Sequence, residues 1–215
     1  MFTGFYDVSK RPLSPIGECK QPPFNDPEAP VNPDQRQWEF SQLLGIYRRL
    51  APRCVLEIGS YCGGSLYQWM KHARPGARII AIDLVGGPWG DSWTQNFVGQ
   101  WRNWVPQGVE FHHLPVSSHE PATKTRLLQI TDHVDFILID GDHRYEGARC
   151  DFEMYGPLVR PGGVIAFHDI LPNPTRPTIS VSRLWQEIRE AGFITQELYS
   201  SREQGGYGIG VVYIV

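Results

Sequence analysis

Val55-Leu56-Glu57-Ile58-Gly59-Ser60-Tyr61-Cys62-Gly63-Gly64-Ser65, followed by Arg78-Ile79-Ile80-Ala81-Ile82-Asp83, decides how this chain is read. A short apolar strand runs into a glycine turn, a helix starts, and a second apolar strand ends in a carboxylate. A Rossmann-like nucleotide pocket needs that order. Glycines let the backbone approach a ligand, the helix N-terminus offers free N–H groups, and the distal acid accepts ribose hydroxyls.

The turn also says what such a pocket holds. A dinucleotide fingerprint reads Gly-x-Gly-x-x-Gly, its middle glycine making room for a pyrophosphate. Here Tyr61 stands at that position, and the spacing is Gly59-x-x-x-Gly63-Gly64. Glu57 adds negative charge where a phosphate should sit. An adenosine ligand without phosphate and with positive charge suits the site better, and S-adenosylmethionine is one. Its sulfonium and amino groups are cationic, so nearby carboxylates help. The ribose diol then falls to Asp83. The blander alternative is that Glu57 and the glycines only shape a tight strand-to-helix turn.

The 215 residues, 41% hydrophobic and 20% charged with net charge −3, suit one globular domain with a sizeable core. A slightly acidic balance argues against a nucleic-acid surface, which carries a basic patch. No window approaches the ~18 uninterrupted apolar residues of a membrane span. Met1 to Lys10 lacks a basic region followed by an apolar run, so no secretory signal is expected. Cys19, Cys54, Cys62 and Cys150 form no C-x-x-C pair, which suits a reducing cytoplasm and small core residues. Of these, Cys62 alone stands where the turn meets a ligand.

Residues 1–31 carry Pro12, Pro15, Pro22, Pro23, Pro27 and Pro30 and read as an extended arm or a partner-exchanged segment. A homo-oligomer is one use for such an arm. Residues 32–215 form the domain. Asn32-Pro33 reads as a helix cap with Gln35 completing a capping box, ahead of Phe40, Leu43, Leu44, Tyr47 and Ala51 at helical spacing. Strands are expected at 54–58, 78–83, 109–116, 134–139 and 164–167, the last after a Pro161-Gly162-Gly163 turn. Helices are expected at 64–73, 121–130, 145–158 and from Val181 to Ala191, with one more in the Trp-rich stretch 89–105. Strands at 193–199 and 208–214 close the chain as an antiparallel hairpin. This alternation predicts an α/β fold, a mostly parallel sheet with helices on both faces.

Ligands of such sheets lie beyond the carboxyl ends of the strands. Two of those ends read Ile139-Asp140-Gly141-Asp142-His143 and Phe167-His168-Asp169. One helix and one strand separate Asp140 from Asp169, so the crossover can return both carboxylates to one site. Oxygen ligands of this kind suit Mg2+, which keeps waters and leaves positions for substrate oxygens. Strand-end capping is the plainer alternative. His143 is the candidate general base, because imidazole has the unperturbed pKa nearest neutrality. Asp142 is read as capping the following helix. His112 and His113 fall inside a strand and read as structural.

Val55 to Ser65, Ile79 to Asp83, Val134 to Tyr145 and Arg160 to Ile170 together resemble the class I S-adenosylmethionine-dependent methyltransferases. Within them the chain is similar to small-molecule O-methyltransferases with an Ile-Asp-Gly-Asp-His-x-Tyr-Glu segment, including metal-dependent antibiotic and sugar O-methyltransferases. The resemblance runs from about Asn32 to the C-terminus. It implies a seven-stranded Rossmann-like sheet ending in the hairpin. Glu57, Gly59, Ser60, Tyr61, Gly63, Ser65, Asp83, Ser117 and Asp140 are the cofactor-binding candidates, Ser117 or Ser118 standing where the family contacts the adenine edge. The same resemblance implies that Asp140, His168 and Asp169 occupy metal-ligand positions. Several relatives have an acidic residue where His168 stands. An imidazole there admits a softer ion such as Mn2+ or Fe2+, serves as a donor behind the ligands, or marks a metal-free branch.

Trp93, Phe97, Trp101 and Trp104 follow one helical face and read as core. Trp89, in a glycine-rich loop past Asp83, reads as part of a lid. The expected activity is methyl transfer from S-adenosylmethionine to a hydroxyl of a small molecule, assisted by a divalent cation. No Asn/Asp-Pro-Pro-Tyr/Phe motif follows strand four, which weakens transfer to nitrogen. A nicotinamide-dependent oxidoreductase is disfavoured by Tyr61. A non-catalytic binding protein is disfavoured by the joint presence of Asp140, His143 and Asp169.

Overall fold

The computed structural model describes residues 22–84 and 97–215. Trp89, Trp93 and the proposed lid lie outside the described residues, as does the arm before residue 22. Five strands run parallel: β1 (Cys54–Ile58), β2 (Arg78–Ile82), β3 (Glu110–Leu114), β4 (Val134–Ile139) and β5 (Val159–His168). Two more, β6 (Ile194–Leu198) and β7 (Ile209–Tyr213), are antiparallel to each other, and β7 pairs antiparallel with β5. The order across the seven-stranded sheet is β3-β2-β1-β4-β5-β7-β6. It reverses between β1 and β4, so the crevice that takes ligands opens beyond Ile58 and Ile139.

Apart from Glu57 and Asp135, both central strands are apolar because both of their faces are covered; every residue of β1 and β4 is buried. Helices α1 (Gln37–Leu50) and α2 (Gly64–Lys71) cover one face, where Phe40, Leu43, Tyr47, Leu66 and Trp69 pack on Val55, Phe136 and Leu138. Helices α3 (Pro121–Ile130), α4 (Tyr145–Tyr155) and α5 (Val181–Glu190) cover the other, over Leu56, Ile58, Ile137 and Ile139. Trp69 sits at the centre of the first layer, with ring centroids 4.8 Å from Tyr47, 5.1 Å from Phe136 and 5.4 Å from Phe40. Among the described residues no helix is long and apolar enough to cross a membrane.

Two local expectations are corrected. Asn32-Pro33 does not cap α1, which starts at Gln37 after Arg36. The reason is pairing with the preceding segment: Phe24 N–H donates to the Gln35 carbonyl and Gln37 N–H to the Pro22 carbonyl, forming a bridge between Pro23 and Arg36. That pairing keeps Gln35 outside the helix, while the Asn32 side chain accepts from Asp26 N–H at 2.7 Å. Pro161-Gly162-Gly163 does not precede β5 but lies inside it. Val134 pairs with Val159 and Phe136 with Val164, so Arg160 to Gly163 bulge out of the ladder, with Gly162 at φ +84°. Arg160 reaches from the bulge to Asp135 on β4, which also accepts the Arg53 and Cys54 N–H groups. In the Trp-rich stretch, Phe97 and Val98 are helical, and Trp101–Trp104 forms a separate 3₁₀ turn.

Candidate functional site

The turn after β1 depends on residues in left-handed conformations: Gly59 at φ +84°, Tyr61 at +50° and Gly63 at +88°. Gly59 is required twice over, because a Cβ there would lie 2.3 Å from the Asp140 carbonyl oxygen. The ends of β1 and β4 therefore touch backbone to backbone. Asp83 Oδ2 accepts the N–H groups of Ser60 (2.5 Å) and Tyr61 (2.9 Å), tying the end of β2 to the turn. Trp101 Nε1 donates to the Cys62 carbonyl at 3.1 Å and braces it from the other side. Tyr61 is half exposed; Cys62 is buried.

Glu57 lies under this turn and is fully buried. Ser65 Oγ donates to its Oε1, fastening the first turn of α2 to β1, and Oε2 has no hydrogen-bond partner. Burial is the main reason its carboxyl rises to about 8; the Ser65 hydrogen bond opposes this, while Asp140 and Asp83 add to it. Burial also raises Asp83 against the pull of its two amide donors. Ser60 is buried with its hydroxyl unpartnered. Ser117 Oγ accepts the His119 N–H at 3.3 Å and its carbonyl accepts Thr123 Oγ1 at 2.6 Å, so this serine shapes the turn into α3.

Beyond β4 and β5, Asp140, His143 and Asp169 converge, with one donor atom of each within 4.8 Å of the others. His143 Nδ1 lies 2.7 Å from Asp169 Oδ2. Asp169 is itself left-handed, at φ +59°, an unusual conformation for a non-glycine residue and one that clusters at functional sites. The set implied by the resemblance is Asp140, His168 and Asp169. The observed grouping differs, because His143 replaces His168 in it. Alternation along β5 puts His168 on the α1 side of the sheet with Val164 and Ala166, and the turned backbone at Asp169 sends the next side chain to the crevice. His168 is buried behind the carboxylates, its Nδ1 3.2 Å from Asp140 Oδ1 and 3.6 Å from Asp169 Oδ2. Neither ring nitrogen has a hydrogen-bond partner, so the contacts are between charges rather than hydrogen bonds.

Burial disfavours charge on His168, but Asp140 and Asp169 outweigh it and raise the imidazole to about 10. Burial likewise opposes ionisation of Asp169, yet His168 and His143 hold its carboxyl down at about 2. His143 is raised as well, burial being outweighed by its bond to Asp169 and by the nearby carboxylates. Asp142 accepts the Arg144 N–H at 3.0 Å and its guanidinium, starting the chain into α4.

Sequence reasoning missed Gln35 as a site residue. Its Nε2 donates to Asp140 Oδ2 at 2.8 Å from 105 positions away, and no local pattern announces that contact. Tyr207 was also missed; its ring packs against His168 with centroids 5.8 Å apart.

A Rossmann-like α/β sheet with a glycine turn and an acid–imidazole cluster at its switch point defines a nucleotide-ligand enzyme class. Residues 56–170 match the family described as "Methyltransferase domain", and the chain belongs to that family. An uncharacterized protein of Acanthamoeba polyphaga mimivirus is 30% identical over 121 residues, 53% of this chain and 50% of its own length. An uncharacterized protein of Sinorhizobium fredii is 24% identical over 80% of this chain but only 17% of its own length. The chain thus spans half or less of the curated relatives it matches. Among solved structures, an O-methyltransferase from Bacillus cereus in complex with SAH is similar in fold, with TM-score 0.60, 19% identity, and 87% of this chain and 84% of that one covered. The O-methyltransferase TomG from Streptomyces achromogenes, involved in tomaymycin synthesis and in complex with SAM, aligns with TM-score 0.59 and 17% identity over 81% and 78%.

Proposed function

We propose that the chain transfers a methyl group from S-adenosylmethionine to a hydroxyl of a small-molecule acceptor. The observation that carries this is the Asp169–His143 pair, 2.7 Å apart beside Asp140, at the rim of the glycine turn. A cationic donor fits the turn, because Asp83 and Asp140 lie near enough to Glu57 to add to the effect of burial on its carboxyl, and a positive charge there would be favoured. A pyrophosphate in the same place would meet like charge. When bound, the donor supplies an electrophilic methyl carbon.

Asp169 holds His143 through Nδ1, which leaves Nε2 to take the acceptor proton. The raised basicity that the carboxylates confer on this imidazole suits that task. The turn from Gly59 to Gly63 and Asp83 position the adenosine, so donor and acceptor meet in line. Two carboxylates beside an imidazole also suit a divalent cation such as Mg2+. Asp140 and Asp169 are the residues to hold it, and it would acidify and orient the acceptor hydroxyl.

Calorimetry tests the reading. The protein should bind S-adenosylmethionine and its homocysteine product and ignore NAD; NAD binding in their place would overturn it. In an acceptor screen, His143→Ala should lower turnover about 100- to 10,000-fold while donor affinity stays within about threefold. Turnover equal to wild type would remove His143 from the reaction, and an EDTA-insensitive rate would remove the cation.

A further inference from the structure

Between Pro22 and Arg36 the chain forms a strap packed against α1 and α2. Phe24 is buried in the core under α1, and Asp26 accepts Lys71 Nζ (2.9 Å) and Gln68 Nε2 (2.8 Å) from α2. The strap also presses on the start of α2, where a Cβ at Gly64 would lie 2.3 Å from Pro33 N. Two residues further on stands Gln35, 6% exposed. A carboxylate only accepts hydrogen bonds, so the 2.8 Å contact to Asp140 Oδ2 fixes the amide with Nε2 toward Asp140. Oε1 is then left buried with no hydrogen-bond partner. A buried carbonyl oxygen without a donor is costly unless something else supplies one.

We infer that Gln35 Oε1 receives the α-ammonium group of the methyl donor, making Gln35 the strap's contribution to cofactor binding. This rests on the methyltransferase reading above and deepens it. Asp140 presents Oδ1 to His168 and Oδ2 to Gln35, so its carboxylate links the acid–imidazole cluster to the strap. On the strap side the neighbours are the glycine turn, through the Gly59–Asp140 contact, and the start of α2, through the Gly64–Pro33 contact. That is where the amino-acid end of a donor lying along the turn arrives. An ammonium brings several N–H donors and a positive charge. It satisfies a neutral acceptor beside a carboxylate better than a hydroxyl does, because the carboxylate is then also answered.

The test compares the homocysteine product, S-adenosylhomocysteine, with its desamino analogue, which keeps the adenosine, thioether and carboxylate and lacks only the ammonium. Gln35→Met removes the acceptor at nearly constant length. The expected result is a loss of S-adenosylhomocysteine affinity of about tenfold or more, with affinity for the desamino analogue within about twofold of wild type. A role confined to holding the strap would weaken both ligands equally, and that outcome overturns the inference. Unchanged affinity for both, with a raised KM for the acceptor alone, overturns it too by moving Gln35 to the acceptor. Should Gln35→Met unfold below the assay temperature, Gln35→Asn keeps the amide one methylene short and must show the same ligand-dependent split. Wild-type protein that binds neither ligand refutes the methyltransferase reading itself, which is a different result from any difference between variants.

Discussion

Gly59→Ala tests the claim that the glycine turn is pressed onto the end of β4. The new methyl has two separable effects. Holding alanine at φ +84° costs about 1–2 kcal/mol, since its Cβ crowds the following carbonyl. The Cβ would also lie 2.3 Å from the Asp140 oxygen, 2.5 Å from its carbonyl carbon and 2.5 Å from Gly141 Cα. All three are backbone atoms of a strand end and its turn, so relief requires β1 and β4 to separate there. Forced repacking of that kind costs about 1–3 kcal/mol. The two add to about 2–5 kcal/mol. Gly76→Ala is the control: it sits at φ +79° with nothing within 4 Å of an added methyl, so it carries only the backbone part, about 1–2 kcal/mol. Urea unfolding of both variants gives the difference directly, provided the m-values agree with wild type. Calorimetry with S-adenosylhomocysteine supplies the second reading, with a loss of about tenfold or more for Gly59→Ala and none for Gly76→Ala. Equal destabilisation of the two variants within about 0.5 kcal/mol would show that the turn does not rest on Asp140.

The remaining predictions concern the scaffold. Asp135 is fully buried, and although burial opposes its charge, Arg160 and the amides of Cys54 and Arg53 hold its pKa below the ordinary value. Its stabilisation is therefore complete above the unfolded carboxyl pKa, about 3.9, and is lost as pH falls through the lower folded value. Asp135→Asn should cost about 1.5–3 kcal/mol at pH 7, with the gap to wild type closing at acid pH; a gap that widens on acidification would reverse the sign. Trp69→Ala removes the ring shared by Tyr47, Phe136 and Phe40 and should cost about 3–5 kcal/mol in the same unfolding assay. A loss under about 1 kcal/mol would mean that layer repacks freely.

What could be read from the chain follows from the range of the forces involved. The run 134–139, apolar but for Asp135, predicts β4, and β4 lies there, because a strand buried on both faces is nearly all apolar. The site's acids were legible for a related reason. Asp83, Asp140 and Asp169 each follow directly on a strand of a parallel sheet, and the fold gathers such positions at one edge. Partners fixed by sheet register or by a distant segment were not legible. Pro161-Gly162-Gly163 looks like a turn locally, but the pairing of Val159 with Val134 makes it a bulge. Gln35 looks like part of a helix cap until Phe24 pairs with its carbonyl and Pro22 with Gln37. Asp169 leaves its strand through a left-handed φ of +59°, which no spacing rule predicts.

The position of His168 changes what the acidic edge can do. Asp140 and Asp169 on their own would form a site of doubled negative charge that only an added cation could hold together. A buried imidazole 3.2 Å and 3.6 Å from their oxygens supplies one positive charge from behind. His168 thereby helps keep Asp169 ionised beside Asp140, through charge rather than through a hydrogen bond. An acidic residue at the same position would add to the repulsion and raise the demand for an external ion. The imidazole instead makes the geometry of Asp140 and Asp169 partly self-sufficient, so that His143 keeps its partner Asp169 and Gln35 keeps its partner Asp140. On this arrangement the orientation of His143 is set by the fold, through its 2.7 Å contact with Asp169.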